Sequence, residues 1–297
     1  MKPRPTLPPG PYLIAGLARS GIAAALALRA LGQPVIGYDD GPADAPGLRH
    51  AAGRLSEAGV ELHLDASREA TAAVAGAGSL VKSPGVPHDA PVVRAARRRG
   101  IPVIGELELA WRLLPNEFVA VTGTNGKTTT TEWIGHIHRE AGAPVAVAGN
   151  VGTPLSSLIG EVGRDVTVVC EASSFQLEDT EAFAPEAAVL VNLSPDHLDR
   201  HGSYECYVAA KLRAFTNQGN DDLAVAPIDI SVPDLGGCGR RVWFGDRPGA
   251  ALSERSGCLW WEEDTLIETD RIALPGAHNR QNAMAAAAAC LARGLDP

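Results

Sequence analysis

The sequence has no CxxC pair, no apolar run long enough to span a bilayer and no excess of positive charge, and each absence closes a class of function. Its five cysteines, Cys170, Cys206, Cys238, Cys258 and Cys290, are widely scattered. That speaks against a disulfide framework and a zinc site, and points to a reducing, cytoplasmic setting. The formal net charge is −9, whereas surfaces that hold nucleic acid rely on clustered lysine and arginine. The one short basic run, "RAARRRG" ending at Gly100, reads as the solvated end of a helix. In "MKPRPTLPPGPYLIAGLARSG" prolines crowd the start and Arg19 interrupts the apolar stretch, so no signal peptide is expected. There is no internal repeat, and no low-complexity tract beyond the alanines of the last helix. Neither a nucleic acid nor a membrane is an expected partner, and a monomer is the expected state.

What is present is a globular, loop-rich composition: 45% hydrophobic residues, 32 Gly and 22 Pro in 297 residues. That length exceeds the usual single domain of about 100–200 residues, so two domains are expected. From Tyr12 strand-like and helix-like segments alternate. "YLIAG" reads as a buried strand, "SGIAAALALRALG" as a helix closed by Gly32, then "PVIGYDD", "VELHL" and "SLVKSPG" as further strands. Such alternation implies a parallel sheet wrapped by helices. "GLARSG", Gly16 to Gly21, approximates the dinucleotide fingerprint with Ala18 in place of its middle glycine. A tight strand-to-helix turn explains it equally well. Asp39 and Asp40 follow the second strand roughly 20 residues on, where such folds often grip a ribose hydroxyl.

A second α/β unit is expected to begin near Glu106 to Pro115, with the chain divided into 1–105 and 106–297. "FVAVTG", "PVAVAGN", "DVTVVCE" and "EAAVLVN" are four strand-like runs, and each ends at a polar residue or glycine. Lys127 and Thr128 follow the first, Asn150 closes the second, Glu171 closes the third, and His197 lies just after the fourth. Ligands of open α/β sheets bind beyond the carboxyl ends of the strands, so these side chains can converge on one crevice. "RVWFG", "CLWW" and "TLIET" suggest appended antiparallel strands, and "HNRQNAMAAAAACLARG" a closing helix.

"GTNGKTTT", Gly123 to Thr130, has the look of a phosphate cradle, in which backbone N–H groups and a helix N-terminus face an anion. The general P-loop signature is not met, because Val121 stands where its first glycine belongs. Phosphoryl transfer needs a lysine on the phosphates, a hydroxyl on Mg²⁺ and a carboxylate on that metal, roles that Lys127, Thr128 and Glu171 can fill. An ordinary helix start and a solvated strand end are the plainer accounts of these residues. His197 and His201 have an HxxxH spacing, but Asp199 and Gly202 suggest a loop rather than a zinc helix. Lys211 shares a helical stripe with Tyr204, Tyr207, Val208 and Phe215, which draws its stem inward. A partly desolvated lysine has a lowered pKa, and its neutral amine can react with CO₂. A lysine snorkelling from an amphipathic helix is the plainer alternative.

"TGTNGKTTT", "GNVGTPL", "EASSFQLE", "NLSPDHLDRHGSYECYVAAKLRAF" and "GAHNRQNAMAA" together resemble the successive signatures of the Mur ligases, ATP-dependent amide-bond-forming enzymes of peptidoglycan synthesis. The resemblance spans nearly the whole chain, and "SSFQLE" with "DHLDRHGS" is most similar to the D-glutamate-adding members. It implies an α/β fold: an N-terminal Rossmann-like domain, then a central P-loop-type parallel-sheet ATPase domain with appended antiparallel strands. It also implies addition of D-glutamate to UDP-MurNAc-L-Ala through an acyl phosphate, with ATP and two Mg²⁺ ions. Family members carry a third, C-terminal domain that grips the incoming amino acid. The expectation is that this chain lacks it, so that full turnover is absent or very slow. Two alternatives stay open: a non-catalytic nucleotide- and UDP-sugar-binding module, and another Mur or folylpolyglutamate-type ligase.

Residue by residue, the resemblance implies that Lys127 contacts the terminal phosphates of ATP, with Gly123, Thr124, Asn125, Gly126, Thr128 and Thr129 around them. Thr128 and Glu171 would hold one metal; His197 and Lys211 would serve the second, Lys211 as an N-carboxylated lysine. Asn279 and Asn282 would contact adenine. Arg19, Ser20, Asp39, Ser83 and Gly85 would line a UDP pocket, and Asn150 would reach the muramoyl portion.

Overall fold

The computed structural model describes residues 2–65, 70–232 and 234–296. They divide into two compact units. The first comprises 1–115 with the returning segments 153–163 and 179–182; the second comprises 116–152, 164–178 and 183–297.

The first unit runs β1 (Tyr12–Ala15), α1 (Arg19–Ala30), β2 (Val35–Tyr38), α2 (Pro46–Glu57), β3 (Glu61–His63), α3 (Ala70–Ala75), β4 (Ser79–Lys82), α4 (Pro91–Arg98), β5 (Val103–Gly105) and α5 (Glu106–Leu113). Its sheet has the order β3-β2-β1-β4-β5, all parallel, as expected of a Rossmann-like unit. The strands read as near-continuous apolar runs because helices cover both faces, and Leu13, Ile14, Ala15, Leu80 and Val81 are buried. Gly32 closes α1 in the left-handed region at φ +74°, where glycine carries no Cβ penalty. Gln33 N then donates to Leu28 O at 3.0 Å. The short strand β5 went unread in the sequence.

The first unit extends through Pro115, at the far end of the expected range, and takes in two returning segments, for a chemical reason. Helix α5 carries two buried glutamates that accept from backbone within the first unit. Glu106 takes Ser156 N at 2.7 Å, and Glu108 takes Glu181 N at 3.0 Å and Ala182 N at 3.1 Å. Lys82 and Asp179 form a fully buried ion pair at 2.7 Å. These contacts hold 153–163 and 179–182 in the first unit, since buried backbone amides need acceptors.

The second unit runs β6 (Phe118–Thr122), α6 (Lys127–Glu140), β7 (Val145–Gly149), β8 (Thr167–Glu171), α7 (Ser174–Leu177), β9 (Ala187–Leu190), α8 (Leu198–His201), α9 (Tyr204–Thr216), β10 (Leu223–Pro227), β11 (Arg240–Phe244), β12 (Leu252–Arg255), β13 (Cys258–Trp261), β14 (Asp264–Glu268) and α10 (Ala277–Ala292). Its nine-stranded sheet has the order β14-β13-β12-β11-β10-β9-β6-β8-β7. Pairing is parallel from β7 through β12 and antiparallel only among β12, β13 and β14. "RVWFG" is therefore a parallel strand beside β10 rather than one of the appended antiparallel set. The chain between β10 and β11 crosses over instead of turning back, and "LAVAP" of β10 is the buried neighbour the sequence reading missed. The residues expected as a loop after His197 form the single helical turn α8. Among the described residues no helix is long and apolar enough to cross a membrane.

Candidate phosphate-binding site

Strand β6 lies between β8 and β9, so the chain order changes direction around it, which is where open α/β sheets place ligands. Its carboxyl end leads into Gly123 to Gly126 and then α6. Gly126 sits at φ +80°, and a Cβ there would lie 2.1 Å from Asn282 Oδ1. Only glycine lets the turn pass under the buried Asn282 side chain. Asn282 donates in turn to Asn279 Oδ1 at 3.3 Å, so the two asparagines of α10 stand as a pair beside the turn.

Lys127 opens α6 with its ammonium folded onto the turn, donating to Gly123 O at 3.1 Å and Thr124 O at 2.8 Å. Thr128 Oγ1 donates to Glu171 Oε2 at 2.6 Å, and Asn150 Nδ2 donates to Glu171 Oε1 at 3.0 Å. Residues from the ends of β6, β7 and β8 thus meet on one carboxylate, which is 3% exposed. A solvated strand end does not describe Glu171.

Lys211 comes from α9, 88 residues away, and donates to the same carbonyl, Gly123 O, at 2.7 Å. It is 2% exposed, with its ammonium 4.5 Å from the centre of the Tyr207 ring. The snorkelling account therefore fails here. Burial foremost, then the Lys127 charge, pushes its pKa down to about 7, against the pull of Asp196 and Glu171. Burial also lowers the pKa of Lys127, opposed by Glu171 and Asp196. Tyr207 hydrogen-bonds Thr124 Oγ1 at 2.9 Å, and Ser194 N donates to the same hydroxyl oxygen at 3.0 Å.

His197 is at φ +50°. Its half-exposed ring lies 4.9 Å from Phe175 and 3.5 Å from the Asp196 carboxylate. Among the described residues it has no hydrogen bond to Glu171, Lys127 or Lys211. His201 faces elsewhere, on Ser174 Oγ at 3.0 Å, with burial lowering its pKa. The HxxxH pair is thus divided. "SSFQ" folds as a capping box, Gln176 N donating to Ser173 Oγ at 3.3 Å and Ser173 N to Gln176 Oε1 at 3.0 Å. Sequence reasoning passed over Asn192, which brackets Asn125 through both groups of its amide.

In the first unit, both oxygens of Asp39 already accept from backbone amides. Oδ2 accepts Leu17 N at 2.7 Å and Oδ1 accepts Gly41 N at 2.9 Å. Ser83 Oγ donates to Gly16 O at 2.7 Å, while Arg19 and Gly85 are exposed and Ser20 is half-buried. Gly21 has no room for a Cβ, which would lie 1.9 Å from Gly16 O.

Two α/β units, one carrying a glycine turn with convergent lysines and a hydroxyl–carboxylate pair, define an α/β protein with a candidate phosphate-binding turn. Residues 121–290 match the Mur ligase middle domain. The chain belongs to the Mur ligase family. It is 41% identical over 301 residues to the UDP-N-acetylmuramoylalanine--D-glutamate ligase of Pelotomaculum thermopropionicum, across 96% of this chain and 64% of that protein. Against the ligase of the same name from Geobacter metallireducens it is 42% identical over 297 residues, with the same two shares, 96% and 64%. The chain thus spans under two thirds of the length of these relatives. Among solved structures, the UDP-N-acetylmuramate:L-alanyl-gamma-D-glutamyl-meso-diaminopimelate ligase from Neisseria meningitides shares the fold, with a TM-score of 0.65 at 20% identity, over 96% of this chain and 94% of that one.

Proposed function

We propose that this chain handles the nucleotide and the UDP-sugar of an ATP-dependent ligase that adds D-glutamate to UDP-MurNAc-L-Ala. The observation that carries the reading is the Thr128–Glu171 pair at 2.6 Å beside two lysines on one turn carbonyl. A hydroxyl, a carboxylate and the amide oxygen of Asn150 are hard oxygen donors of the kind Mg²⁺ takes, so the residues fit that ion. Thr128 and Glu171 would hold it, and it would neutralise charge as phosphate and substrate carboxylate approach.

Lys127 would leave the turn carbonyls for the terminal phosphates, and the α6 N-terminus would face the same anion. The muramoyl-alanine carboxylate is a poor electrophile. Attack by its oxygen on the γ-phosphorus, with departure of ADP, would give an acyl phosphate, and the amine of glutamate would then displace phosphate to form the amide. Lys211, buried against the turn, supports the expected N-carboxylation, which would turn an ammonium into an oxygen donor for a second Mg²⁺ with His197. Asn279 and Asn282 would meet adenine. Arg19, Ser20, Asp39, Ser83 and Gly85 would meet the uridine diphosphate, and Asn150 the muramoyl group. Cytoplasmic location and monomeric state belong to the same reading.

Positional isotope exchange in γ-labelled ATP, with UDP-MurNAc-L-Ala and Mg²⁺ and without glutamate, tests the first half-reaction. Exchange that depends on the UDP-sugar is expected and should vanish in Glu171→Gln. Binding of both ligands without exchange would favour a non-catalytic module.

A further inference from the structure

We propose that Asn192 is a positioning residue of the phosphate turn: it fixes Thr124 and Asn125 so that the first-turn amides of α6, with Lys127, are the donors that meet the anion. The inference rests on the reading of the turn as a triphosphate site.

Asn192 stands just beyond β9, where the chain still pairs with the end of β6 through Val191 N to Thr122 O at 2.9 Å. It then makes three hydrogen bonds to the turn. Thr124 N donates to Asn192 O at 3.1 Å, Asn125 N donates to Asn192 Oδ1 at 2.9 Å, and Asn192 Nδ2 donates to Asn125 O at 3.0 Å. Only an amide side chain offers a donor and an acceptor to one residue's backbone in this way. Aspartate keeps the acceptor and loses the donor; alanine loses both.

The bracket also sorts the donors. The N–H groups of Thr124 and Asn125 are both engaged by Asn192, so neither is open to a ligand in this conformation. The first amides of a helix have no intrahelical partner, and those at the start of α6 lie beyond the Gly126 reversal. The Thr124 hydroxyl, held by Ser194 and Tyr207, pins the same side of the turn. One side of the loop is fastened to the end of β9, and the other is left to the phosphate.

Asn192→Ala, Asn192→Asp and Lys127→Ala are compared in the full chain by calorimetry with MgATP. Affinity is expected to fall roughly tenfold in Asn192→Ala and further in Asn192→Asp, which adds a negative charge near the phosphates. Affinity for UDP-MurNAc-L-Ala and the unfolding midpoint should stay as in the wild type. Amide exchange at Asn125 provides a signature that loss of stability would not mimic: faster in Asn192→Ala, still slow in Asn192→Asp. Wild-type ATP affinity in Asn192→Ala, with Lys127→Ala impaired, would overturn the positioning role and leave the triphosphate reading standing. Unchanged ATP affinity in Lys127→Ala would overturn both. If Asn192→Ala fails to fold, Asn192→Asp decides alone, and wild-type ATP affinity there refutes the proposal.

Discussion

The turn from β1 to α1 and the turn from β6 to α6 follow the same local recipe, a buried strand, a glycine and a helix, yet the charged groups that pack onto them differ. In the first, the amide of Leu17 is already held by the Asp39 carboxylate, and the cation at the helix start, Arg19, is exposed with no partner among the described residues. In the second, two ammonium groups converge on Gly123 O. The difference comes from the neighbouring elements. The end of β2 supplies a carboxylate to the first turn, while α9 supplies a lysine to the second. Similar glycine turns therefore do not imply similar ligands; what the adjacent strand end or helix delivers to the turn decides.

The sharpest way to break this comparison is Lys127→Ala. ATP affinity should fall about 100-fold, the scale of a lost charge-assisted phosphate contact, while the thermal shift with UDP-MurNAc-L-Ala persists. Calorimetry and thermal unfolding on one preparation check both halves, and a loss shared by the two ligands would mean that the sites are not separate.

Asp39→Ala is the reciprocal change. It removes acceptors from Leu17 N and Gly41 N and should cost the first unit about 2 kcal/mol. Denaturant unfolding should show that loss, with the UDP-MurNAc-L-Ala shift diminished and ATP affinity retained. NAD should give no shift in either protein, because Ala18 stands in place of the middle glycine of the dinucleotide fingerprint.

The smallest expected effect concerns Glu106. Burial raises its pKa, opposed by the backbone and side chain of Ser156, and among the described residues its Oε2 is buried without a hydrogen-bond partner. As pH climbs above the ordinary carboxylate range the unfolded chain gives up its proton first. Stability from this group therefore falls until pH passes the folded value. Glu106→Gln should remove that falling limb and stabilise the first unit by about 1 kcal/mol at neutral pH. Thermal unfolding at pH 5 and pH 8 would reveal it, and an unchanged pH profile would count against a buried, strained carboxyl.

Much of the architecture was legible because strand and helix periods are local. The strands expected from Tyr12 and from Phe118 onward lie where the apolar runs placed them, and Gly32 ends α1 by its own backbone freedom. The direction of β11 was not legible. An apolar five-residue run has the same pattern in a parallel or an antiparallel ladder, and only its pairing with β10 fixes the choice. The return of 153–163 and 179–182 to the first unit was hidden for a related reason: the acceptors that hold Ser156, Glu181 and Ala182 sit on α5, far away in sequence.

The candidate site divides in the same way. By itself the sequence determined that Lys127 and Thr128 open a helix after a glycine turn, because strand, turn and cap are neighbours along the chain, and its motif series pointed to the Mur ligases. Tertiary structure alone decided that Thr128 bonds Glu171, that Asn192 brackets Asn125, and that Lys211 is buried against Gly123 with Lys127 on the same oxygen. Those contacts join residues 43 to 88 positions apart. The depressed pKa of Lys211 follows from desolvation and a neighbouring charge, which exist only once the chain has packed.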